Sequence, residues 1–393
     1  MKLCKSGTVK IALAAFCAVI FIASLPGAAA QDDIVGKKLY FGVKPLKNMN
    51  AAEIEAASDA GTGLTMFKYN ATSSRTGSKG QKFSGFMVGH NPNTTNGTTT
   101  TTVYVVPLIM KIGGKTFNPT VADAACLGGK VPTTVLKNSP MVLATHDFKV
   151  NGVDVGATQY SDAFRRGEFW KSVSANGGTY HNKLNYVFLA AITVTPGSAN
   201  SVLYSVTGTP CRATYGGVEV NWLDGYVTGT LIPSLASKGV GPANLPIFMM
   251  YNTTMYDSSP GTCCIGGYHG TESTSPPQTY SPFQFDSVGV FTGVGGEDTS
   301  IMSHEVNEWQ DDPLGNNPTP PWGNIGQVSG CQGNLEVGDA LTGTNFPNVT
   351  MNGFTYHLQE LANFKWFYGA PANAAGGKFS DNGTFTTAAA ACP

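Results

Sequence analysis

The chain has 393 residues, of which 12% are charged and 41% hydrophobic, and its formal net charge at pH 7 is −1. An average soluble domain has roughly 25% charged residues, so we expect a surface that is polar but mostly uncharged. This balance provides no basic surface for nucleic acid or for an anionic membrane, and neither is expected as a partner.

The first thirty residues have the pattern of a secretory signal peptide. Three lysines among the first ten residues form a basic start, residues 11–22 are apolar, and residues 28–30 are alanines typical of a cleavage site. The apolar run is too short to span a bilayer comfortably. We expect cleavage near Ala30 and a secreted mature chain, extracellular or periplasmic, of about 360 residues with a net charge of about −4.

Six cysteines follow the predicted signal peptide. An even number in an exported chain predicts structural disulfides, up to three, whose connectivity the spacing leaves open. A cysteine metal site normally contains C-x-x-C pairs, and the sequence has none. The six cysteines are Cys126, Cys211, Cys263, Cys264, Cys331 and Cys392.

Short apolar runs dominate the rest of the chain. Residues 39–88 alternate apolar and polar positions between glycines, serines and asparagines, which is typical of hairpin strands. The polar, threonine-rich residues 91–102 indicate a linker or exposed loop. We therefore divide the mature chain into an N-terminal β-rich region, residues 31–100, and a metal-dependent catalytic domain, residues 101–393.

Helical patterns are few. "TQYSDAFRRGEFWKSV", residues 158–173, predicts a short helix. "FTYHLQELANFKWFYG", residues 354–369, predicts a strand followed by a second short helix. "LPIFMMYNTTMY", residues 245–256, predicts a strand. We predict an α+β fold that is β-rich, with an active-site helix packed on a mixed or antiparallel sheet.

The stretch "SIMSHEVNEWQDDP", residues 300–313, contains the most specific chemical pattern. On a helix, His304 and Glu308 project from one face a turn apart and can bind one ion. Glu305 lies about 100° from His304 around the helix, where it can accept a proton from a metal-bound water. The alternative is an ordinary amphipathic helix whose histidine and glutamates face solvent.

Two ligands do not hold a catalytic zinc, which normally has three protein ligands and one water. "GNLEVGDAL" is the most promising source of the third, with Glu336 as first choice and Asp339 beside it. Asp312 is a local competitor, although Pro313 biases it out of helical geometry. His269 and His357 can reach such a site only through folding.

Residues 303–309 resemble the active-site helix of zincin-type metallopeptidases, with the H-E-x-x-E pattern in place of H-E-x-x-H. That resemblance implies a metal on His304 and Glu305 as the base. A carboxylate at Glu308 also admits harder ions such as Mn or Ca. The wider pattern, with Asp312-Pro313, "LEVGD", "TQYSDAFRRGEFW" and "YHLQEL", resembles a group of poorly characterised secreted bacterial proteins.

Three functions are compatible with these patterns. The first is a secreted zinc-dependent hydrolase that acts on an extracellular peptide or polymer, with His304, Glu308 and Glu336 as ligands and Glu305 as general base. The second is a metal-free, glycosidase-like hydrolase with paired carboxylates, in which Trp309 and Trp322 contact sugar. The third is a secreted binding or surface protein without enzymatic activity.

Overall fold

A computed structural model describes residues 32–48, 50–208, 211–371 and 373–392, and these form one compact unit. The predicted signal peptide and its cleavage site lie outside the described residues. Within the described ranges, no helix has both the length and the apolar character needed to cross a membrane.

The described chain contains many short strands and few helices. The strands are β1 Tyr40–Lys44, β2 Met66–Thr72, β3 Lys82–Val88, β4 Thr98–Ile112, β5 Lys115–Phe117, β6 His146–Val150, β7 Val153–Thr158, β8 His181–Phe188, β9 Ile192–Val194, β10 Ser201–Ser205, β11 Thr214–Glu219, β12 Leu245–Tyr251, β13 Thr253–Tyr256, β14 Cys263–Glu272, β15 Gln278–Phe285, β16 Pro318–Ile325, β17 Val328–Asn334, β18 Asn345–Met351 and β19 Phe354–Gln359. The helices are α1 Ala51–Asp59, α2 Pro132–Lys137, α3 Tyr160–Glu168, α4 Trp170–Ala175, α5 Val220–Tyr226, α6 Ile232–Leu235, α7 Ser300–Asp311 and α8 Phe364–Tyr368. A π-helical turn, Val227–Leu231, joins α5 to α6, and 3₁₀ turns occur at Ala236–Lys238, Pro260–Thr262, Asp339–Leu341 and Ala375–Gly377.

Eleven of these strands form one large mixed sheet that curls into a half-barrel. Its main order is β10-β11-β13-β14-β15-β12-β4-β5, with β1 added beside β14 and with β8 and β9 beside β4. β12 pairs in parallel with both β4 and β15, and every one of its residues is buried. A continuous apolar run is expected for a central parallel strand covered on both faces.

The predicted α+β class is wrong. The described chain is β-rich, with 37% strand and 21% helix, and its architecture is the half-barrel rather than an active-site helix packed on a sheet. α7 contacts β14 and β15 of the large sheet but also β3 and β19 from two separate hairpins. It is therefore enclosed by strands of three sheets instead of forming a helical layer on one of them.

Several local predictions are confirmed. β2 and β3 form the predicted hairpin near the start of the chain, α3 and α4 occupy the predicted helical stretch, and β19 is followed by α8. The predicted linker is only partly a loop, because β4 begins at Thr98 and Thr99 and Thr101 are buried. Threonine is β-branched and fits a pleated strand, so the low-complexity composition concealed a central strand.

All six cysteines of the described chain are paired, as their even number predicts. Cys126 bonds to Cys211, and Cys331 bonds to Cys392. The adjacent Cys263 and Cys264 bond to each other. The first two bonds close loops of 85 and 61 residues, which restricts the unfolded chain and stabilises the fold.

Glycines in β14 allow α7 to approach the sheet. A Cβ on Gly267 would lie 2.9 Å from Cγ of Glu305 and 3.0 Å from Cγ2 of Ile301. These distances are too short for real carbon contacts, so the helix can lie here only if the strand has no side chain at this point. The "CCIGGYHG" sequence thus sets the distance between β14 and the His-Glu helix.

We expect Gly267→Ala to lower the free energy of unfolding by about 1–3 kcal/mol, because the added methyl group overpacks a closed contact. Urea unfolding measures the change. Gly225→Ala is the matched control: Gly225 is exposed within α5 with open space around it, and alanine favours the helix there. Equal stabilities of the two variants would contradict the proposed packing constraint.

Candidate metal centre

Helix α7 is buried along its whole length, including every polar side chain. Its C-terminal end is anchored by Arg165 of α3, whose Nη2 lies 2.5 Å from Oδ1 of Asp311 and donates a 2.8 Å hydrogen bond to the carbonyl of Gln310. Both charged side chains are fully buried. Burial also raises the pKa of Glu168, beside Asp311, well above its ordinary value. The helix that presents the His-Glu pattern is therefore fixed by interior charge contacts.

The His304 ring has a defined orientation. It stacks on Phe41 with ring centroids 3.9 Å apart, and its Nδ1 lies 3.0 Å from Oε1 of Gln359. The Gln359 Nε2 donates to the carbonyl of Gly338, so Oε1 accepts and Nδ1 of His304 carries the hydrogen. This assignment leaves Nε2 of His304 as the nitrogen available to a metal, as in sites where an outer partner fixes the tautomer.

Nε2 of His304 faces two carboxylates. It lies 3.0 Å from Oε2 of Glu308 and 3.5 Å from Oδ1 of Asp339, and it makes no hydrogen bond of good geometry. Zinc bonds to nitrogen and oxygen are about 2.0–2.1 Å, which places tetrahedral ligand atoms about 3.3 Å apart. The measured separations are close to that spacing.

Backbone amides orient Glu308. Its Oε1 accepts hydrogen bonds from the amides of Gly338, at 2.9 Å, and Asp339, at 3.1 Å. Oε2 is therefore the oxygen left to face the imidazole. A Cβ on Gly338 would collide with the ring of His304, so glycine is required where this loop crosses the helix.

A second buried histidine, His269 of β14, faces the same helix. Its Nε2 donates to the carbonyl of Asp312 at 3.2 Å, which leaves a lone pair on Nδ1. Nδ1 lies 3.5 Å from Oε2 of Glu305 and 3.8 Å from Oε2 of Glu308, without a hydrogen bond. Acceptor atoms thus face one another, an arrangement that needs either a proton or a cation between them.

These side chains form two overlapping groups that could hold a metal ion. One group is His304, Glu308 and Asp339, and the other is His269, Glu308 and Glu336. The candidate ligand atoms within each group lie within 4.8 Å of one another, and every residue is buried. Because both groups contain Glu308, they are parts of one centre rather than two separate sites.

Burial and mutual charge shift the titration of the whole centre. Burial raises the pKa of Glu305 and Glu336 well above the usual carboxyl value. Burial lowers the pKa of His269 to about 4. Burial opposes a charge on His304 as well, but the neighbouring Glu308 carboxylate outweighs it and raises the His304 pKa. A divalent cation at the centre would supply the positive charge that a proton on His304 provides in its absence.

The structure brings together His304 and Glu308, as the helical spacing predicts. Glu336, the first choice for a third ligand, belongs to the group with His269, whereas its alternative Asp339 completes the group with His304. Asp312 lies just beyond the end of α7, and its carboxylate accepts the amides of Asn316 and Asn317. Neither group includes Asp312.

His357 lies outside the candidate metal centre. Its Nδ1 pairs with Oδ2 of Asp298 at 2.6 Å, a hydrogen bond that raises the pKa of this half-buried histidine. Neither group includes His357. Of the two histidines that could reach the site only through folding, the structure therefore brings His269 to the centre.

Glu305 is in neither ligand group. Both of its carboxylate oxygens are buried and without a hydrogen bond, and Oε2 points towards His269. Its position next to the candidate ligand His269, outside both groups, leaves its carboxylate free to accept a proton.

Trp309 and Trp322 are fully buried, so the expectation that they contact sugar is wrong. The indole nitrogen of Trp309 donates to Thr279, and that of Trp322 donates to the carbonyl of Asn334. Both rings are buried in the core and their indole nitrogens are hydrogen-bonded.

Sequence reasoning missed the residues that orient the centre. Gln359 fixes the His304 tautomer, Phe41 covers its ring, and Gln327 donates through Nε2 to Oδ1 of Asp339. None of them carries a metal-ligand pattern. The one available signal was Gly338 between Glu336 and Asp339, since a glycine among carboxylates indicates a close backbone approach.

Comparison of the chain with protein-family models, with curated proteins and with solved structures gives no match. The description of the protein therefore rests on its fold and its candidate site. It is a β-rich, disulfide-bonded protein with buried His/Glu/Asp groups that could hold a metal ion.

We expect Arg165→Met to lower the free energy of unfolding by about 3–5 kcal/mol, because it leaves the buried Asp311 without its charge partner. Lys68→Met is the control, since the pair of Lys68 with Glu55 is about half exposed and contributes about 0–1 kcal/mol. Chemical unfolding of both variants measures the difference. A cost for Arg165→Met as small as that of the control would refute the anchoring role.

Proposed function

We propose that the protein is an exported metal-dependent hydrolase that acts on peptide bonds. His304, Glu308 and Asp339 would hold a zinc-like divalent ion, and Glu305 would accept a proton from the water that completes its coordination. The ion would polarise the scissile carbonyl and lower the pKa of that water. Export is supported by the signal-like start and by disulfides, which persist in oxidising compartments.

One observation carries this proposal: two imidazole nitrogens face several carboxylates inside the protein without hydrogen bonds of good geometry to join them. Nε2 of His304, Nδ1 of His269 and Oε2 of Glu336 are all buried and make no hydrogen bond. Unpaired buried charges are strongly unfavourable, and proteins pair them or use them to bind metals. A cation held by His304, Glu308 and Asp339 would satisfy Nε2 of His304, and its charge would offset the facing carboxylates.

We favour Asp339 over Glu336 as the third ligand. Gln359 holds Nδ1 of His304, and two backbone amides hold the carboxylate of Glu308. The two side chains are therefore oriented before an ion binds. Asp339 also retains 9% of its side-chain exposure, whereas Glu336 retains 1%. A catalytic ion needs one coordination position that water and substrate can reach.

A second candidate is a structural ion in a secreted binding protein. Its support is the burial of the whole centre, because structural metal sites have no open position. The two candidates differ in Glu305, which is outside both ligand groups and has no role in a purely structural site.

Metal content tests the ligand set. We expect about one divalent ion per chain in the purified protein and a strong loss in His304→Ala and in Asp339→Asn, measured by elemental analysis after dialysis against a weak chelator. Glu336→Gln is the matched carboxylate-to-amide control and should retain the ion. Loss of the ion in Glu336→Gln but not in Asp339→Asn would assign the ion to the His269 group. Equal metal in wild type and His304→Ala would contradict the metal site.

Glu305→Gln tests the hydrolytic role. Glutamine is nearly isosteric and Glu305 is not a proposed ligand, so the variant should keep its fold and its ion. Hydrolysis should fall by about 10²–10⁴-fold, the usual contribution of general-base catalysis. The readout is the cleavage of a mixture of unstructured peptides, measured by mass spectrometry. Intact protein and protein treated by limited proteolysis are both assayed. Unchanged cleavage, or loss of the ion, would contradict the assigned role.

A further inference from the structure

The proposed centre is nearly closed to solvent in the described structure, and among its proposed ligands only Asp339 keeps 9% side-chain exposure. His304 and Glu305 have no exposed surface, and Glu308 is 1% exposed. A hydrolase must admit its substrate to the metal and to the base, so part of the surrounding structure has to cover the site reversibly. The segment that lies directly on His304 is β1, whose Phe41 ring stacks on the imidazole with an interplanar angle of 19°.

The backbone of β1 is bound on both sides. It pairs in parallel with β14, with Phe41 opposite Gly267. On its other side, Oε1 of Gln327 accepts the amide hydrogen of Phe41 at 2.6 Å, and Nε2 of Gln327 donates to the carbonyl of Phe41 at 3.1 Å. One side-chain amide thus binds both peptide groups of a single residue. Strand addition of this kind recognises an extended chain with little regard to its sequence.

Gln327 also connects this backbone contact to the metal centre. Its Nε2 donates to Oδ1 of Asp339, the carboxylate oxygen that lies 3.5 Å from Nε2 of His304. The residue that binds the Phe41 backbone is therefore in direct contact with a proposed ligand. A peptide bound in place of β1 would have its backbone held beside the ion.

Open space lies on both sides of β1. A cavity of about 450 Å³ lies between β1 and the segment that contains Gln327 and Asp339. A second cavity of about 610 Å³ lies between β1 and a surface that includes Asp224 and Tyr268. Residues 40–43 line both cavities, so β1 is the wall that separates them. Its displacement would create one groove above His304.

We propose that the groove filled by β1 is the substrate-binding site of the hydrolase and that it takes an extended polypeptide. A substrate strand would pair with β14, its backbone would be bound by Gln327, and a large apolar side chain would lie on His304 where Phe41 now lies. β1 occupies the groove in cis and keeps the enzyme latent until it is displaced. This inference rests on the proposed hydrolase function.

Strand exchange tests the inference in the full-length, metal-loaded protein. A recognition sequence for a specific protease is inserted after Lys47, which is exposed and follows β1, and the chain is cut there. A fluorescent peptide with the sequence of residues 37–46, KKLYFGVKPL, is then added in excess. We expect saturable binding to cut but not to uncut protein, with release of the resident N-terminal fragment detected by mass spectrometry.

Two variant peptides test whether binding depends on the side chain that lies on His304. The Phe41→Ala peptide should bind at least about tenfold more weakly, since truncating a buried aromatic anchor costs more than 1.4 kcal/mol. The Tyr40→Ala peptide should bind within about twofold of the original, because Tyr40 is 41% exposed. Cut protein that stays folded by circular dichroism and neither releases its fragment nor binds the peptide would overturn the inference. Equal binding of the two variant peptides would overturn it as well.

A second measurement on uncut protein covers the case in which cutting unfolds the chain. Phe41→Ala should speed transfer of zinc to a chromophoric chelator by at least about tenfold, while Tyr40→Ala should leave the rate unchanged. Equal rates would refute the role of β1 as a cover. Peptide binding without peptide cleavage would contradict the hydrolase and leave the groove intact, whereas cleavage that does not depend on displacing β1 would contradict the groove alone.

Discussion

The constraint on which the centre depends is the burial of four carboxyl groups around two imidazoles. Glu305, Glu308, Glu336 and Asp339 are all buried, and the facing groups are two imidazoles. Interior carboxylates without compensation either take up protons or bind cations. Four acidic groups that face two imidazoles make the centre more than a set of polar core residues.

The backbone allows the cluster to be this tight. Gly267 admits α7 against β14, and Gly338 admits the loop with both later carboxylates against the His304 ring. The amide of Gly338 then donates to Glu308, while its carbonyl accepts from Gln359. Two glycines far apart in sequence thus fix the distances among three elements, and a larger residue at either position would separate the elements that form the site.

What the sequence could predict was local. The spacing of four between His304 and Glu308 places them on one helical face whatever the rest of the chain does, and both belong to one candidate ligand group. The even number of cysteines likewise indicated the disulfides. Asp339 and Glu336 are only three residues apart, so distance along the chain could not decide which of them meets His304. That depends on how the loop after β17 crosses α7.

The fold class could not be predicted for a related reason. Several short apolar runs were identified as strands, but strands such as β4 and β12 pair across more than a hundred residues, and local patterns contain no information on such pairing. The threonine-rich start of β4 was taken for a linker because its composition is that of a loop. Its burial beside β8 arises from pairing and not from hydrophobicity. The contact of Phe41 with His304 could not be predicted for the same reason, since no pattern near Phe41 in the sequence indicates it.

Burial of the centre has opposite consequences for binding and for access. In the proposed hydrolase, exclusion of water would strengthen each interaction between the ion, its ligands and a developing charge, and would favour a closed site for catalysis. The same closure excludes a polypeptide unless one wall can leave. Among the walls around His304, α7 is fixed by the buried Arg165 contact and β14 lies between β13 and β15. β1 instead borders cavities on both sides, and Lys44 at its end makes partly exposed ion pairs with Asp224 and Glu272. These contacts are the reason for assigning the displaced wall to β1, the element that lies on the histidine.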